Sequence, residues 1–462
     1  MAEESPAQLA GLLTGLAPGS RVGGYQLERL IGVGGMAAVF RARDMRLDRV
    51  VALKLLTGDE VVRRRFAREA RAVAAVDHPH IIPVYEAGES GAVLYIAMRY
   101  VAGDDLRVLL RRNGPLTPRR AAGFPGREIA ALFGITSGRL YEHIDANILN
   151  ASGERHRRLR ALVGPALTPR AADRWRPVMR GFLAEIWDAA IGDTSRCEFV
   201  SAVAKAYPSR TIAAVLGAPD ADAARLHYWS NMVQRQFDIQ ALSTQLPELE
   251  EAVAEAHDYV AKLVEARRAE PAEDLISAVV HATDDDGSAL SELECVNLVL
   301  NLIAGGVDTT QGQLSHALRL FAAHPEQWER LRADPSLVPD AVQEVLRWEP
   351  VAPFTARVIS ADVSHRGVEF PAGTIVAVCA ERANRETDGE AFDITAARDG
   401  KLYTFGVGPH FCIGMNLARA ELEEALAFLA PRMPGLALDG PVRLGGVEGI
   451  YSVESLPLSW DR

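Results

Sequence analysis

The sequence predicts a mainly α chain with a small β part, preceded by a small α+β domain. Three observations carry this. In the second part, apolar residues recur at helical spacing over long runs such as Val178–Ala190, Leu246–Arg268 and Leu290–Val307. In the first hundred residues, short runs alternate instead, at Tyr25–Ile31, Val50–Leu56, Ile81–Ala87 and Val93–Tyr100. Charge changes sign as well: residues 1–123 hold 18 Lys and Arg against 13 Asp and Glu, or +5, while the whole 462-residue chain carries −11, leaving −16 on residues 124–462. The two stretches read as separate domains, 1–123 and 124–462.

Composition is that of an ordinary globular protein, 48% apolar and 24% charged. The four cysteines, Cys197, Cys295, Cys379 and Cys412, are scattered, so neither a disulfide framework nor a zinc site is indicated. This suits a cytoplasmic protein. Met1–Ser5 is acidic and lacks a basic start before an apolar core, so no signal peptide is read. The best membrane candidate, Val299–Val307, is too short to span a bilayer. Arg63–Arg65 is a basic run, but Phe66, Ala70 and Val73 beside it have helical spacing, so a solvated face of a helix over Val61–Val76 explains it without nucleic acid.

Residues 1–20 read as a loose lead. From Gly24 the strand Tyr25–Ile31 breaks at Gly32-Val33-Gly34-Gly35-Met36-Ala37-Ala38-Val39-Phe40. Val50–Leu56, with Lys54 inside it, reads as a strand, and Val61–Val76 as a helix bearing Glu69. The order of glycine loop, strand lysine and helix glutamate resembles the N-lobe of a bacterial Ser/Thr protein kinase over about residues 18–123. The resemblance implies a residual ATP site at Gly32, Gly34, Lys54 and Glu69, with Met98–Val101 as the adenine hinge; Ala37 stands where the family usually has a third glycine. No H-R-D-x-x-x-x-N or D-F-G follows, so the catalytic base and magnesium ligands are missing and phosphoryl transfer is not expected.

The second domain opens at Phe124-Pro125-Gly126. Residues 127–145 have a helix–Gly–helix look that superficially resembles a DNA-binding helix-turn-helix, which the −16 of the same domain argues against. Strand-like character returns at Val358–Ala380. Near the C-terminus stands Thr404-Phe405-Gly406-Val407-Gly408-Pro409-His410-Phe411-Cys412-Ile413-Gly414. Glycines at 406, 408 and 414 permit a turn that lets backbone approach a flat ligand and aim N–H groups at sulfur. A helix over Ile413–Phe428 would then favour negative charge on Cys412. The spacing F-G-x-G-x-H-x-C-x-G resembles the haem-binding loop of the cytochrome P-450 family.

Further motifs follow that family's order. Ala304-Gly305-Gly306-Val307-Asp308-Thr309-Thr310 resembles its oxygen-side helix, where the two glycines leave room and Asp308 and Thr309 deliver protons. Glu344-Val345-Leu346-Arg347 resembles its E-x-x-R pair, normally completed by an arginine before the cysteine loop. That position holds alanine here, with Arg398 or Arg385 as substitutes. His156, Arg160, Arg357 and His410 match the family's positions for the haem propionates. Phe405 would pack near the thiolate.

The resemblance covers about residues 124–462 and implies a bacterial soluble-type haem-thiolate monooxygenase. It would use haem b on Cys412, O2 and a small-molecule substrate. NAD(P)H would supply electrons through a ferredoxin reductase and a ferredoxin. The β-rich segment and two helices that usually come first in the family are not seen; the kinase-like lobe stands in their place, as a fusion. A competing reading is a regulatory chimera, with a pseudokinase-like interaction module on a disabled haem domain. Substrate specificity is expected in loops around Ala213–Gln234 and Val351–Thr355.

Overall fold

The computed structural model describes residues 18–34, 37–56, 84–91, 93–100, 121–122, 126–284, 287–359, 361–365, 368–389, 391–398, 400–445 and 450–462. The chain divides into two compact units, one of residues 1–116 and 362–374, the other of residues 117–361 and 375–462.

The first unit is built on an antiparallel sheet of β1 (Arg21–Val22), β2 (Tyr25–Gly34), β3 (Ala37–Asp44), β4 (Arg49–Leu56), β5 (Val84–Ser90) and β6 (Val93–Arg99), in the order β1-β2-β3-β4-β6-β5. Period-two alternation sends Tyr25, Leu27, Phe40, Val51, Leu53, Leu55, Tyr95 and Ala97 into one cluster. Leu94 and Ile96 of β6 form a second cluster, joined by Leu56, Val84 and Met98. Glu86 anchors the first cluster's polar edge: the hydroxyls of Tyr25 and Tyr95 each donate to it at 2.8 Å, and Arg46 pairs with it. Arg46 and these two hydroxyls hold the Glu86 carboxyl below its usual range against the cost of burial.

The sequence reading ends the first strand at Gly32; β2 instead runs to Gly34 and pairs back onto β3, Gly34 opposite Ala37, with register shifts near Arg29 and Gly32. Glycine weakens a strand but does not forbid it, and a paired neighbour decides. The expected Val61–Val76 helix, with Glu69, lies outside the described residues, as do Ile81 to Pro83 of the expected third strand and Val101 of the hinge.

The second unit is mainly helical. Its helices include α1 (Gly126–Leu132), α2 (Gly138–Ala146), α3 (Gly153–Val163), α4 (Arg176–Ala190), α5 (Ala206–Leu216), α6 (Ala223–Gln234), α7 (Leu246–Ala269), α8 (Glu292–Gly306), α9 (Asp308–Ala323), α10 (Val338–Trp348), α11 (Ala380–Asp388) and α12 (Met415–Leu429). The three long helices read from periodicity are α4, α7 and α8. A capping box of Ser291 and Glu294 starts α8 two residues later than the apolar run suggests. The region around Ala213–Gln234, read as loops, is mostly helix: the end of α5 and all of α6. Its apolar face, with Leu226, Trp229 and Val233 buried, explains why.

Sheet is confined to small pieces. β7 (Ala121–Ala122), β8 (Phe354–Ile359) and β11 (Ile375–Cys379) run in the order β11-β8-β7; the hairpin β9 (Val363–His365) and β10 (Val368–Phe370), which belongs to the first unit, lies between β8 and β11 in sequence. The helix–Gly–helix stretch is α1 and α2, turned at Gly134 with φ 72°. Leu140, His143 and Ile144 of α2 are buried, and His143 Nδ1 meets Asn297 Oδ1 of α8 at 3.2 Å. A helix held inward this way is packed scaffold, not a reading head for DNA. Among the described residues no helix is long and apolar enough to cross a membrane.

Helix α12 carries an unusual core residue. Glu421 is 1% exposed, its Oε2 has no hydrogen-bond partner, and burial pushes its carboxyl well above the usual range. A raised carboxyl favours folding while it stays protonated, so stability is full at acid pH and falls as pH rises past the ordinary carboxylate range. Glu421→Leu should therefore stabilise the protein by about 1–3 kcal/mol near pH 8. The gain should shrink toward pH 4 in urea titrations at several pH values. A gain independent of pH would contradict the neutral, unpartnered state.

Candidate active site

Cys412 follows a turn made by two glycines. Gly406 has φ 72° and Gly408 φ 79°, values that residues with a Cβ rarely adopt. Gly406 N–H donates to Tyr403 O at 2.8 Å, and Cys412 N–H returns to Phe405 O at 2.9 Å, closing the loop. Gly414 is different from expectation: its φ is −86°, so conformational need does not demand glycine there. It caps α12, and a Cβ added to it would meet nothing within 4 Å, so it leaves a clear surface beside the sulfur. Phe405 stands edge-on to Phe411, ring centroids 6.4 Å apart.

Cys412 is the exposed one of the four cysteines. The surrounding loop nevertheless crowds it, and that burial pushes its thiol up; the N–H of Gly414, the charge of Arg160 and the N–H of Met415 pull the other way. The start of α12 alone does not ionise the sulfur. A metal ion held there would do so by displacing the proton.

Two arginines, Arg160 and Arg357, and two histidines, His156 and His410, converge beside it. The His156 and His410 rings lie 4.0 Å apart. His410 is pushed down to about 4 by burial, then by His156, Arg357 and Arg160. Burial also lowers His156, Arg160 and Arg357. Among the described residues neither Arg160 nor Arg357 pairs with an acid, and the buried Nε2 of His156 has no partner. Cations desolvated without a counter-charge are costly unless an anionic ligand completes them. Unpaired arginines to meet two propionates, one exposed sulfur and a glycine-cleared surface are what a haem requires, so the residues present fit that group.

The long helix breaks at Val307 (φ −92°, ψ −70°) between α8 and α9. The break leaves the Ala304 and Gly305 carbonyls without their usual N–H donors. Thr309 Oγ1 donates to Gly305 O. Gln234 Nε2 donates to Ala304 O at 2.6 Å. Gly305 is exposed, and a Cβ there would meet nothing within 4 Å. Gly306 does not make room as expected: its Cβ would strike Ile212 Cδ1 at 2.4 Å, so it serves close packing of α8 on α5. Asp308 is buried, with Ser230 Oγ donating to its Oδ2 at 2.9 Å. Burial raises its carboxyl, opposed by Ser230, His227, Arg235 and Asn231.

The Glu344–Arg347 pair is buried and forked: Nε to Oε2 is 2.7 Å and Nη2 to Oε1 is 2.8 Å. Arg398, not Arg385, is the third member, with Nη2 3.1 Å from Glu344 Oε1. Arg385 instead donates to Trp348 O, stacks 4.2 Å over its ring and pairs with Glu381 at 3.3 Å. Sequence reasoning gave Asn384 no role. Its Nδ2 donates to Thr404 Oγ1 at 2.9 Å and its Oδ1 accepts from Tyr403 N–H at 2.7 Å, tying α11 to the cysteine loop. Ser230 and Gln234 were also missed, because nothing in the sequence marks which helix faces the break.

In the first unit, Gly32 and Gly34 lie in β2, and Lys54 lies half-buried in β4, opposite Val39 and Ile96. Glu69 is not among the described residues.

The Arg398 assignment has a direct check. Arg347→Leu, which leaves Glu344 buried and partly unpaired, should cost about 3–5 kcal/mol in urea unfolding. Arg398→Ala should also destabilise, and by more than Arg385→Ala; the reverse order would return the role to Arg385.

Comparison with known proteins agrees with this geometry. The family model for Cytochrome P450 matches residues 134–429, and that for Protein kinase domain matches residues 25–132. The kinase match is thus an N-terminal fragment. The chain is 33% identical to luteothin monooxygenase of Streptomyces thioluteus, over 79% of this chain and 87% of that protein. It is 34% identical to mycinamicin IV hydroxylase/epoxidase of Micromonospora griseorubida, over 69% of this chain and 81% of that protein. The solved structure of CalO2 superposes with a TM-score of 0.70 at 30% identity, covering 87% of this chain and 98% of that one.

Proposed function

Because the chain belongs to the cytochrome P450 family of haem monooxygenases, we propose that it inserts one oxygen atom of O2 into a small organic substrate, with haem b held by Cys412. The observation that carries this is the meeting of His156, Arg160, Arg357 and His410, with no paired acid among the described residues, beside the exposed cysteine. Arg160 and Arg357 would pair with the propionates, and His156 and His410 would donate ring N–H groups to them. Haem supplies oxygen binding and O–O cleavage, which a thiolate ligand favours.

The chain's own residues do the rest. Phe405 packs within the cysteine loop against Phe411, and the N–H groups of Gly414 and Met415 would stabilise negative charge on the sulfur. Gly305 leaves open space on the opposite side. Thr309, whose hydroxyl now donates to Gly305 O, can rotate to hold a proton there. Asp308, buried and favoured in its protonated form, is the acid behind it. NAD(P)H would supply electrons through a ferredoxin reductase and a ferredoxin.

Carbon monoxide added to the reduced protein should give the thiolate-type Soret band, and Cys412→Ala should abolish it. A wild-type protein that takes up no haem would refute the reading.

For residues 1–123, the division of the chain into a kinase-like lobe and the haem domain from residue 124 remains our proposal. The lobe offers Gly32, Gly34 and Lys54 but no catalytic base or magnesium ligand in sequence, so it transfers no phosphate. Incubation with radiolabelled ATP and a generic protein substrate should leave both unlabelled. Labelling that Lys54→Ala removes would establish a kinase.

A further inference from the structure

Helix α6 faces the broken helix with polar side chains where a core interface is ordinarily apolar. His227, Ser230 and Gln234 stand at i, i+3 and i+7, on one face of the helix. Each is matched to the break or its flank. His227 Nε2 lies 2.8 Å from Gln311 Oε1. Ser230 Oγ donates to Asp308 Oδ2 at 2.9 Å and lies 3.4 Å from Ala304 O. Gln234 Nε2 donates to Ala304 O at 2.6 Å.

The arrangement has a mechanical consequence. To close the break, the Asp308 N–H would have to reach the Ala304 carbonyl, which is the ordinary helical bond at that spacing. Gln234 donates to that carbonyl instead, so α6 supplies a partner for it in the broken form. Ser230 does a second thing: it fixes where the Asp308 carboxyl points. Asn231, His227 and Arg235, from the same stretch of chain, supply the remaining pull on that carboxyl. The stripe therefore sets both the shape of the oxygen side and the orientation of its buried acid.

We propose that Ser230 and Gln234 are positioning residues for proton delivery on the oxygen side, so that any displacement of α6 changes that delivery directly. The proposal rests on the haem-thiolate reading above. It makes α6 more than a wall: a substrate that shifts this helix alters the acid through two hydrogen bonds, without touching it.

The test uses the full-length, haem-loaded chain and three variants: Ser230→Ala, Gln234→Leu and the conservative Ser230→Thr. Carbon monoxide on the reduced protein is the probe, read by infrared difference spectroscopy. Its C–O stretch reports the space and polarity above the iron. The Asp308 carboxyl stretch, assigned with Asp308→Asn, reports the acid. Gln234→Leu should shift the C–O band, Ser230→Ala should shift the Asp308 band, and Ser230→Thr should keep both at wild-type positions. The thiolate Soret band should stay unchanged in all three, because the cysteine side is untouched. With a surrogate ferredoxin and reductase, the solvent deuterium isotope effect on oxygen consumption should rise in Ser230→Ala and Gln234→Leu, which a merely structural role would not produce. Wild-type infrared bands and an unchanged isotope effect in both variants would overturn the proposal while leaving the haem reading intact. A wild-type chain without the thiolate band would overturn both.

Discussion

The buried carboxylate of Glu344 is the point on which the cysteine side depends. It accepts from Arg347 Nε and Nη2, from Arg398 Nη2 at 3.1 Å and from the Asp393 N–H at 2.9 Å. Arg347 spends its remaining donors on Gly389 O and Ala391 O, at 3.0 and 2.9 Å. A buried ion pair does not by itself add much stability, since desolvation offsets attraction. This one is fully satisfied, and its partners all lie in the chain that leads into the cysteine loop. Its value is in fixing one path for that chain. Asn384 and Thr404 continue the same restraint, with the Thr404 hydroxyl donating to Leu346 O of α10.

The loop so held presents a cysteine to a nest of two arginines and two histidines with no paired acid among the described residues. Each of His156, Arg160, Arg357 and His410 is perturbed in the direction of losing its charge, and burial leads the causes in every case. An interior assembled for stability alone would have supplied a carboxylate, as it does for Arg176 with Glu423 at 2.7 Å and Glu424 at 3.1 Å. The contrast within one domain separates a structural ion-pair network from a binding site.

The oxygen side rests on a different device, a helix interrupted at one residue. Its cost includes the freed Ala304 and Gly305 carbonyls, which the Gln234 and Thr309 side chains take up. Function therefore sits where a rule of helix continuity is broken and repaired locally. Gly305 supplies the open surface, while Gly306 supplies contact with α5; two adjacent glycines serve opposite purposes.

Sequence by itself determined the two-part organisation and the mainly helical second part. It also placed the cysteine loop, the acid–alcohol pair and the buried E-x-x-R, because each depends on a short spacing that survives without knowledge of neighbours. Lys54 in its strand was legible for the same reason. Which arginine completes the Glu344 network was not: Arg385 and Arg398 are equally charged, and only the path of residues 389–398 brings one of them to the carboxylate. The separate roles of Gly305 and Gly306 depend on the helix that packs behind one of them. Gln234, Ser230 and Asn384 carry no motif, since a single polar residue on a helix reads as solvated until its partner is known. Tertiary structure decided these: the groups that Gln234 and Ser230 serve come within reach only where α6 packs against the broken helix, and Asn384 gains its role only when α11 meets the cysteine loop.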